Sequence, residues 1–476
     1  MTYYGTLSNY FREYKFLRFC SVSTPLTLYL LPVYISARKM VDSADRDFSG
    51  KSQSTTLSEG ITSALDYTRL TEPTKATLPE ESEEPPIQLL KRALSTKSVI
   101  SNTSSFASRM QRLALQSELE REDLRIIGLG SCGTVFEIPG SELAFKKGTS
   151  ESGIWRDFCL TNRVHNAVQN VRMMMQEAFP YSTIPKTPLC HNYHSADNEK
   201  FWSNNVERFP PGRRTKQPLF TVDRILPLPQ KAREGLIKLY FDEDEKAQQE
   251  AKDDQDNKDC LVRIYLGERE SIRQQSDVYD TLRNFPLRLN MMEDLELEVS
   301  ELANEMAIGL AILHWQAQVD GMDVEFVLGS SATWDREHLI GYDDISAPPH
   351  TMETTPHTVE TTPHMVETIN FKRRALHLWM FDFDKATETE LTKDDVITKL
   401  VPAFLGNDPY YPMPQVDKEL WDEFCGTYLK ASEVILQGKG VDQRVRSLPR
   451  RFLDEVLMML KKHEDWNENN NIVFTN

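Results

Sequence analysis

Three glycines, Gly128, Gly130 and Gly133, form a G-x-G-x-x-G pattern between segments that have the composition of short strands. An apolar run precedes them, and a second strand pattern, 134–138, begins directly after the last glycine. A Pro-Gly turn then leads into a third strand pattern that ends at Lys146. Glycines at this spacing let the backbone N–H groups of a hairpin tip approach phosphates, and a lysine on the next strand adds a positive charge. The segment therefore predicts a phosphate-binding hairpin.

The same glycine pattern also occurs in dinucleotide-binding folds, so the residues that follow it are decisive. In those folds a helix begins at the glycines and an acidic residue stands about twenty positions later. Here a strand, a turn and another strand follow instead. Together with Val135 and the strand 144–146, the glycines indicate the glycine loop of a protein kinase, which covers the nucleotide phosphates. A glycine hairpin without a ligand is the alternative interpretation.

A later strand pattern, 219–223, ends at Asp223 and is followed by an apolar segment with two prolines. In a kinase-like arrangement this strand would be the last of the small lobe. The segment after it would be the hinge, whose backbone groups hold the adenine. Asp223 is therefore a candidate nucleotide-binding residue, although the pattern alone is not specific.

A helix is expected over 295–313, where apolar residues recur at three- and four-residue steps and form one stripe. Asp320 follows it, and Glu325 stands five residues further on, at the start of an apolar strand pattern. The kinase catalytic loop has an Asp, four intervening residues and a metal-binding Asn at this spacing, but its H-R-D triplet is absent here. We expect Asp320 to be the catalytic base, with Asp323 as the alternative. Glu325 would bind Mg²⁺ through its hard oxygen atoms.

The apolar run 376–381 ends in Asp382-Phe383-Asp384. The corresponding kinase motif is D-F-G, whose Asp holds Mg²⁺ on the nucleotide phosphates. Asp382 is therefore the main candidate for binding a metal, and Asp384 replaces the glycine of the motif. The alternative interpretation is a pair of acidic residues at a strand end, without a metal.

Protein kinases pair the lysine that follows the glycine loop with a Glu on the next helix. The helix expected here over 154–175 contains no Glu, and Asp157 is its one acidic residue. Either Lys146 lacks the usual partner, or Asp157 takes that place with a shorter side chain.

Taken in order, these motifs resemble the protein-kinase-like fold across 124–438. A closer resemblance is to a fungal family of unknown function whose members are commonly labelled zinc-finger proteins. The stretches that carry it are GLGSCGTVFEIPG, DVEFVLGSS, LWMFDFD, GNDPYYPMP and the aromatic segment from Trp421 to Ser432. The family has no assigned reaction, so the resemblance implies little about activity.

The zinc label directs attention to one compact set of potential ligands, Cys190, His191 and His194. Cys190 and His194 would share one face if the segment were helical, but no second pair of ligands stands nearby. The chain has six cysteines, and no two of them are separated by only two residues, which excludes a disulfide scaffold and standard zinc-finger spacing. Zinc is therefore not the expected cofactor.

The chain divides into segments of different composition. Residues 1–85 are expected to form a disordered leader, which includes an apolar stretch at 19–37 flanked by basic residues. The segments that follow are a helical lead-in (86–123), a kinase-like N-lobe with the hinge (124–229) and a mainly helical C-lobe (230–476).

Two insertions are expected in the C-lobe. The acidic segment 242–259 predicts a solvated loop or an exposed helix. The segment 330–368 contains three tandem Pro-His units, and the proline in each unit breaks helices, so a low-complexity surface loop is expected.

Charge and hydropathy limit the partners and the location. The formal net charge of −17 disfavours nucleic-acid binding, which needs Lys and Arg to neutralise phosphates. The stretch 19–37 approaches the ~20 residues that span a bilayer, but Ser, Thr and Pro dilute it, so a membrane anchor is not favoured. A cytoplasmic or nuclear location is expected, with an unknown protein or small-molecule partner.

These features predict an α+β chain with a protein-kinase-like bilobal fold, a small β-rich N-lobe and a larger, mainly helical C-lobe. The expected function is that of a kinase-like protein of unknown substrate, either nucleotide-binding or a catalytically silent interaction module, with ATP and Mg²⁺ as cofactors. One alternative is an active ATP-dependent phosphotransferase. A second alternative is a zinc-binding regulatory protein.

Overall fold

The computed structural model describes most of the chain after residue 75. The described ranges are 76–78, 85–101, 105–114, 122–270, 279–338, 365–407 and 409–469. They belong to one unit of the chain, Lys75–Val473. Nearly all of the leader, including 19–37, lies outside these ranges, and so do the Pro-His units apart from residues 365–369, so the predictions about the residues outside them stay predictions. Within the described ranges, no helix has the length and apolar character needed to cross a membrane.

The part of the chain before the glycine hairpin contains strands as well as helices. Its elements are β1 (Ala76–Leu78), α1 (Pro86–Ala93), β2 (Ser98–Ser101) and α2 (Ser105–Ala114). The expectation of a disordered leader to residue 85 and a helical lead-in over 86–123 therefore misses two strands. β2 forms because it pairs antiparallel with residues 373–375, far along the chain, and no local pattern reveals such a partner.

The first sheet contains the three strands expected around the glycines and two later ones. They are β3 (Arg125–Leu129), β4 (Thr134–Glu137), β5 (Leu143–Lys147), β6 (Cys190–His194) and β7 (Leu219–Asp223). The spatial order is β3-β4-β5-β7-β6, and all neighbours are antiparallel. Phe136, Phe145 and Trp202 belong to a buried cluster on this sheet, so the hairpin has a core of its own.

The long helix α3 (Glu151–Ala178) connects β5 to β6. The hydroxyl of Ser150 caps its N-terminus by accepting a hydrogen bond from the N–H of Gly153. The helix starts earlier and ends later than the expected range of 154–175. Its early start places Asp157 in the second turn, close to β5.

Four shorter helices follow in the chain, and two of them form the acidic insertion. They are α4 (Glu199–Asn205), α5 (Gln230–Tyr240), α6 (Glu245–Asp253) and α7 (Gln255–Lys258). The segment 242–259 matches the exposed-helix interpretation, because α6 and α7 are mostly exposed and are capped by Asp244 and Asp254. Ala251 and Asn257 are the exceptions, since both are buried.

The second sheet joins the lead-in strands to a long hairpin. Its other strands are β8 (Val262–Tyr265), β9 (Pro286–Arg288), β10 (Glu325–His338) and β11 (Met365–Phe381), and the order is β1-β2-β11-β10-β8-β9. β10 and β11 pair antiparallel from one end to the other, with an irregularity after Ala332. The loop expected over 330–368 is therefore wrong at both ends, since 330–338 and 365–368 are strand. The end of β10 and the start of β11 stabilise each other by pairing, and this long-range pairing leaves no signal in the local sequence.

Helices fill most of the remaining C-terminal part. They are α8 (Leu289–Asp294), α9 (Val299–Ala311), α10 (Lys393–Asp395), α11 (Val401–Gly406), α12 (Lys418–Gly438), α13 (Gln443–Arg446) and α14 (Leu448–Asn469), with π-helical turns at Ile312–Ala317 and Val396–Leu400. The single helix expected over 295–313 is wrong at its start, because Glu296 has a left-handed φ of 51° that separates α8 from α9. The π-helical turn after α9 leads into the loop before β10.

Candidate functional site

Lys146 on β5 contacts two carboxylates from distant parts of the chain. Its Nζ atom lies 2.6 Å from Oδ2 of Asp157, on α3, and 2.8 Å from Oδ1 of Asp382, which follows β11. Burial disfavours the charge on Lys146, but the two carboxylates outweigh it and raise the pKa of the ammonium above its usual range. The lysine is therefore charged at neutral pH and holds the two elements together.

Asp157 is the helix carboxylate that pairs with Lys146. Lys146 therefore has a partner on the following helix, and that partner is an aspartate in the place of the glutamate of protein kinases. Its side chain is buried, and the hydroxyl of Thr161, one turn later, donates a hydrogen bond to Oδ1 over 3.1 Å. A short aspartate reaches the lysine because α3 begins after a tight turn from β5. Gly148 in this turn has no room for a side chain, since a Cβ there would lie 2.4 Å from the carbonyl oxygen of Cys132.

The glycine hairpin has a closed tip that packs against β5. The N–H of Gly130 donates to the carbonyl oxygen of Gly133 over 2.9 Å. A Cβ on Gly133 would lie 2.8 Å from the carbonyl oxygen of Lys147, so this glycine is needed for the close approach of two backbone segments. Gly128 and Val135 pair with each other across β3 and β4. The structure thus brings the expected glycines, the valine and the lysine strand together in three consecutive antiparallel strands.

Asp382 follows β11 in a left-handed conformation, with a φ of 65°. This backbone is unfavourable for a residue with a side chain, so the surrounding contacts must hold it. Its neighbour Phe383 is fully buried, whereas the side chain of Asp382 is 31% exposed. Asp384 lies near the thiol of Cys132 at the hairpin tip, and burial together with this carboxylate raises the pKa of the thiol. The hairpin tip and the Asp382 turn therefore face each other.

Glu325 begins β10, and it pairs with Phe381, the residue before Asp382. Its carboxylate accepts a hydrogen bond from Nη2 of Arg263 over 2.5 Å. Burial, opposed by Arg263 and assisted by Asp382, raises the pKa of Glu325 to about 7. The site therefore contains a carboxylate that changes charge near neutral pH.

The two candidate bases have different surroundings in the loop between α9 and β10. Asp320 is 5% exposed, and its carboxylate accepts hydrogen bonds from the N–H of Met322 over 3.1 Å and from the N–H and hydroxyl of Thr387. Asp323 has a φ of 64°, its side chain is 40% exposed, and its carboxylate forms an ion pair with Lys385. Asp320 therefore stabilises the loop, while Asp323 is accessible to solvent.

Asp223 uses its carboxylate within the first sheet. Oδ2 accepts a hydrogen bond from the N–H of Leu189 over 3.0 Å, and Oδ1 lies 2.7 Å from Nε2 of His191. A role of this carboxylate in nucleotide binding would therefore have to share it with these two partners.

The three potential zinc ligands lie in the strand β6, so the condition that Cys190 and His194 share a helical face is not met. The strand forms because it pairs with β7. Cys190 is buried, His191 contacts Asp223, and the ring of His194 stacks on Phe201 with the centroids 4.0 Å apart. Across the described ranges, no group of three or more His, Cys, Asp or Glu side chains is placed to hold a metal ion.

Asn407 is a residue of this site that no motif in the sequence marks. Its buried side chain forms hydrogen bonds to backbone groups of the loop that carries Asp320 and Asp323. Asn407 belongs to the stretch GNDPYYPMP, so the family resemblance marks the segment but not its contact. The contact joins residues 84 positions apart, which no local pattern can reveal.

Comparison with known proteins supports the family resemblance over part of the chain. The model of a family of unknown function, described as zinc finger protein, matches residues 378–440, a segment that contains both Asp382 and Asn407. No curated protein and no solved structure matches the chain. These comparisons do not support a kinase-like core, which stays a prediction from the motif order.

Proposed function

We propose that this chain is a kinase-like protein that binds a nucleotide together with Mg²⁺. The observation that carries the proposal is the ammonium of Lys146, which lies between Asp157 and Asp382 at 2.6 and 2.8 Å. In protein kinases a strand lysine pairs with a carboxylate of the following helix, and the Asp of D-F-G holds the metal. Here Lys146 would be the strand lysine, Asp157 the helix carboxylate and Asp382 the metal-binding aspartate, in the same order along the chain.

The arrangement of elements supports a bilobal interpretation. The first sheet and α3 make a small, β-rich part that carries the glycine hairpin and Lys146. The mainly helical part follows the hinge candidate, 224–229, and carries Asp382 and Glu325. The candidate site thus combines residues from both parts, as a nucleotide cleft between two lobes requires.

The carboxylates fit Mg²⁺ better than they fit a metal held by protein alone. Mg²⁺ is commonly bound by one or two carboxylates together with substrate phosphates. Asp382 and Glu325 would supply the carboxylates, and the nucleotide would supply the remaining oxygens. Lys146 and the backbone N–H groups of the hairpin would then neutralise and orient the phosphates.

Three features favour nucleotide binding without catalysis. Asp320, at the position of the kinase base, has its carboxylate engaged in three hydrogen bonds. Asp323 is paired with Lys385, and Asp384 replaces the glycine of D-F-G. A catalytically silent interaction module that binds nucleotide is therefore the function we favour.

An active phosphotransferase is the second candidate. Asp323 is partly exposed and contributes to the raised pKa of Glu325, so it lies close to the metal candidates. Such a carboxylate can accept the proton of an acceptor hydroxyl during phosphoryl transfer. Phosphate release or transfer from ATP that is lost in Asp323→Asn would favour this candidate, while nucleotide binding without turnover would favour the silent module.

A thermal-shift titration tests nucleotide binding, because a ligand that binds only the folded state raises its melting temperature. We expect ATP with Mg²⁺ to raise the Tm of the wild-type chain, and Asp382→Asn to lose the Mg²⁺-dependent part of this shift. Asp422→Asn is the control, since Asp422 lies exposed on α12 and pairs with Lys418. No shift of the wild-type chain at millimolar nucleotide would contradict the proposal.

A further inference from the structure

We propose that Asn407 is a positioning residue, which holds the acidic loop (residues 320–325) in the conformation that binds the metal and nucleotide. This inference rests on the proposed nucleotide site. Asn407 directly follows α11, and it is 4% exposed. Because it contacts the loop backbone, its effect on the ligand would pass through the residues that the loop carries.

Three hydrogen bonds join the Asn407 amide to this loop. Its Oδ1 atom accepts a hydrogen bond from the N–H of Asp323 over 2.6 Å. Its Nδ2 atom donates to the carbonyl oxygens of Gly321 over 2.9 Å and of Val324 over 3.1 Å. The Asn407 side chain thus forms hydrogen bonds with one backbone N–H and two backbone carbonyl groups of the loop, which has no regular secondary structure.

The acidic loop needs such support because its backbone is strained. Gln318, just before the loop, and Asp323, within it, have φ values of 55° and 64°. Left-handed conformations are unfavourable for residues with a side chain, and they persist where surrounding contacts hold them. Asp323 is one of these strained residues, and its N–H donates the hydrogen bond that Asn407 accepts.

Asn407 holds the middle of the loop, whereas other contacts hold its ends. At the start, Asp320 is fixed by hydrogen bonds from Thr387. At the end, Glu325 is fixed by pairing with β11. The backbone conformation at Asp323 therefore depends on the Asn407 amide, while its carboxylate pairs with Lys385.

The substitution Asn407→Asp tests this contact without leaving a cavity. An aspartate has the same shape and can still accept the hydrogen bond from Asp323. It cannot donate to the carbonyl oxygens of Gly321 and Val324, and it places a negative charge against both of them. The variant therefore removes the two hydrogen bonds that Asn407 donates to the loop, while the size of the side chain stays the same.

Asn257→Asp is the matched control. Asn257 is buried as well, its Nδ2 donates to the carbonyl oxygen of Ala251 over 2.8 Å, and its Oδ1 accepts from the N–H of Leu282 over 2.7 Å. These contacts join α7 to α6 and to the segment before β9, so none of them involves the acidic loop. A general effect of placing a charge on a buried amide would appear in both variants.

Two measurements on the full-length chain separate positioning from folding, at a temperature where all variants are folded. Hydrogen–deuterium exchange is measured for peptides that cover 318–326, and ATP affinity is measured with Mg²⁺ and with EDTA. We expect Asn407→Asp to speed exchange in this segment and to reduce the Mg²⁺-dependent gain in ATP affinity about tenfold, as substitution of residues that orient metal ligands does. Asn257→Asp should leave both quantities close to those of the wild type.

The possible failures are distinguishable. Unchanged exchange of 318–326 in Asn407→Asp, or an unchanged Mg²⁺-dependent gain, would overturn the inference and leave the nucleotide site intact. Equal losses in both variants would also overturn it, because a general loss of stability would explain the effect. A wild-type chain that binds no ATP would overturn the proposed function, and the inference would fall with it.

Discussion

At Lys146, the cost of burying a charge is offset by two carboxylates, those of Asp157 and Asp382. A charge removed from water is unfavourable unless it is paired and hydrogen-bonded, and both conditions are met here. The three groups together carry one excess negative charge. A divalent cation on Asp382 would turn this excess into one positive charge, which is consistent with a site that binds metal and anionic phosphates together.

Replacement of Asp157 by Asn keeps the shape of the side chain but leaves Lys146 with one carboxylate. Because a broken buried ion pair leaves an uncompensated charge, we expect the free energy of unfolding to fall by about 3 kcal/mol. Urea denaturation measures this change. Glu199→Gln, which breaks an exposed pair with Lys216, should cost less than about 1 kcal/mol. A variant of Asp157 as stable as the wild type would contradict this account of the pair.

His314 gives the protein a defined response to acid. It is fully buried, and its Nδ1 atom lies 2.9 Å from the hydroxyl oxygen of Tyr428. Burial lowers the pKa of His314 to about 3. The unfolded chain takes up a proton on this histidine below about pH 6.5, but the folded chain does not until about pH 3. Stability is therefore lost as the pH falls from 6.5 towards 3.

The expected size of this effect between pH 7.5 and pH 5.0 is about 2 kcal/mol in the free energy of unfolding. Urea denaturation of the wild type and of His314→Asn at the two pH values measures it. Since asparagine does not titrate, the variant should lose about 2 kcal/mol less than the wild type over this interval. Parallel losses in the two proteins would show that His314 is not the group responsible.

Among the elements, α2 connects more parts of the structure than its ten residues suggest. Met110 packs with Leu226 of the hinge candidate and with Phe371 of β11. Arg109 donates a hydrogen bond to the buried carboxylate of Glu137 on β4 over 3.1 Å. The helix therefore contacts both sheets and the segment that joins the two parts of the protein.

Met110→Ala tests whether α2 contributes to the core. Truncation of a fully buried methionine removes apolar contacts and leaves a cavity, so we expect a loss of about 3 kcal/mol in the free energy of unfolding. Arg112→Ala, on the exposed side of the same helix, should change it by less than about 0.5 kcal/mol. If both variants unfold at the same urea concentration as the wild type, α2 is not part of the folded core.

The elements that the sequence predicts well are those whose signals are local. The strands around the glycines follow from apolar runs and turn residues within one short segment. β2 and the outer ends of β10 and β11 depend on pairing with distant segments, so the sequence alone favours loop or helix there. β6 is a similar case, because its five polar and aromatic residues become a strand only beside β7.

The same distinction applies to the candidate site. Lys146, Glu325 and Asp382 are predictable because each stands at an end of an apolar strand pattern. Asp157 remains open in the sequence, since tertiary packing decides whether the face of α3 that carries it turns towards β5. Asn407 is missed because its contact with the acidic loop joins two segments that are far apart in the chain.

At the scale of the whole described unit, several connections join its parts, and three of them lie close to the elements that carry the site. Helix α2 packs against both sheets, and the Lys146–Asp382 pair links β5 to the end of β11. At the far end of α3, Lys430 of α12 donates a hydrogen bond to the carbonyl oxygen of Ala178 over 2.6 Å. These connections contribute to the way the hairpin and the acidic residues face each other, and the proposed nucleotide site depends on that arrangement.

Calorimetric titration with ATP and Mg²⁺ tests the central claim most directly. We predict saturable binding to the wild-type chain, and an affinity at least about tenfold lower for Lys146→Met, because a lost charge-assisted contact to phosphate is worth more than about 1.4 kcal/mol. Lys216→Met should bind as the wild type does, since Lys216 lies exposed and pairs with Glu199. The absence of binding to the wild type, or equal affinities of the wild type and Lys146→Met, would contradict the account.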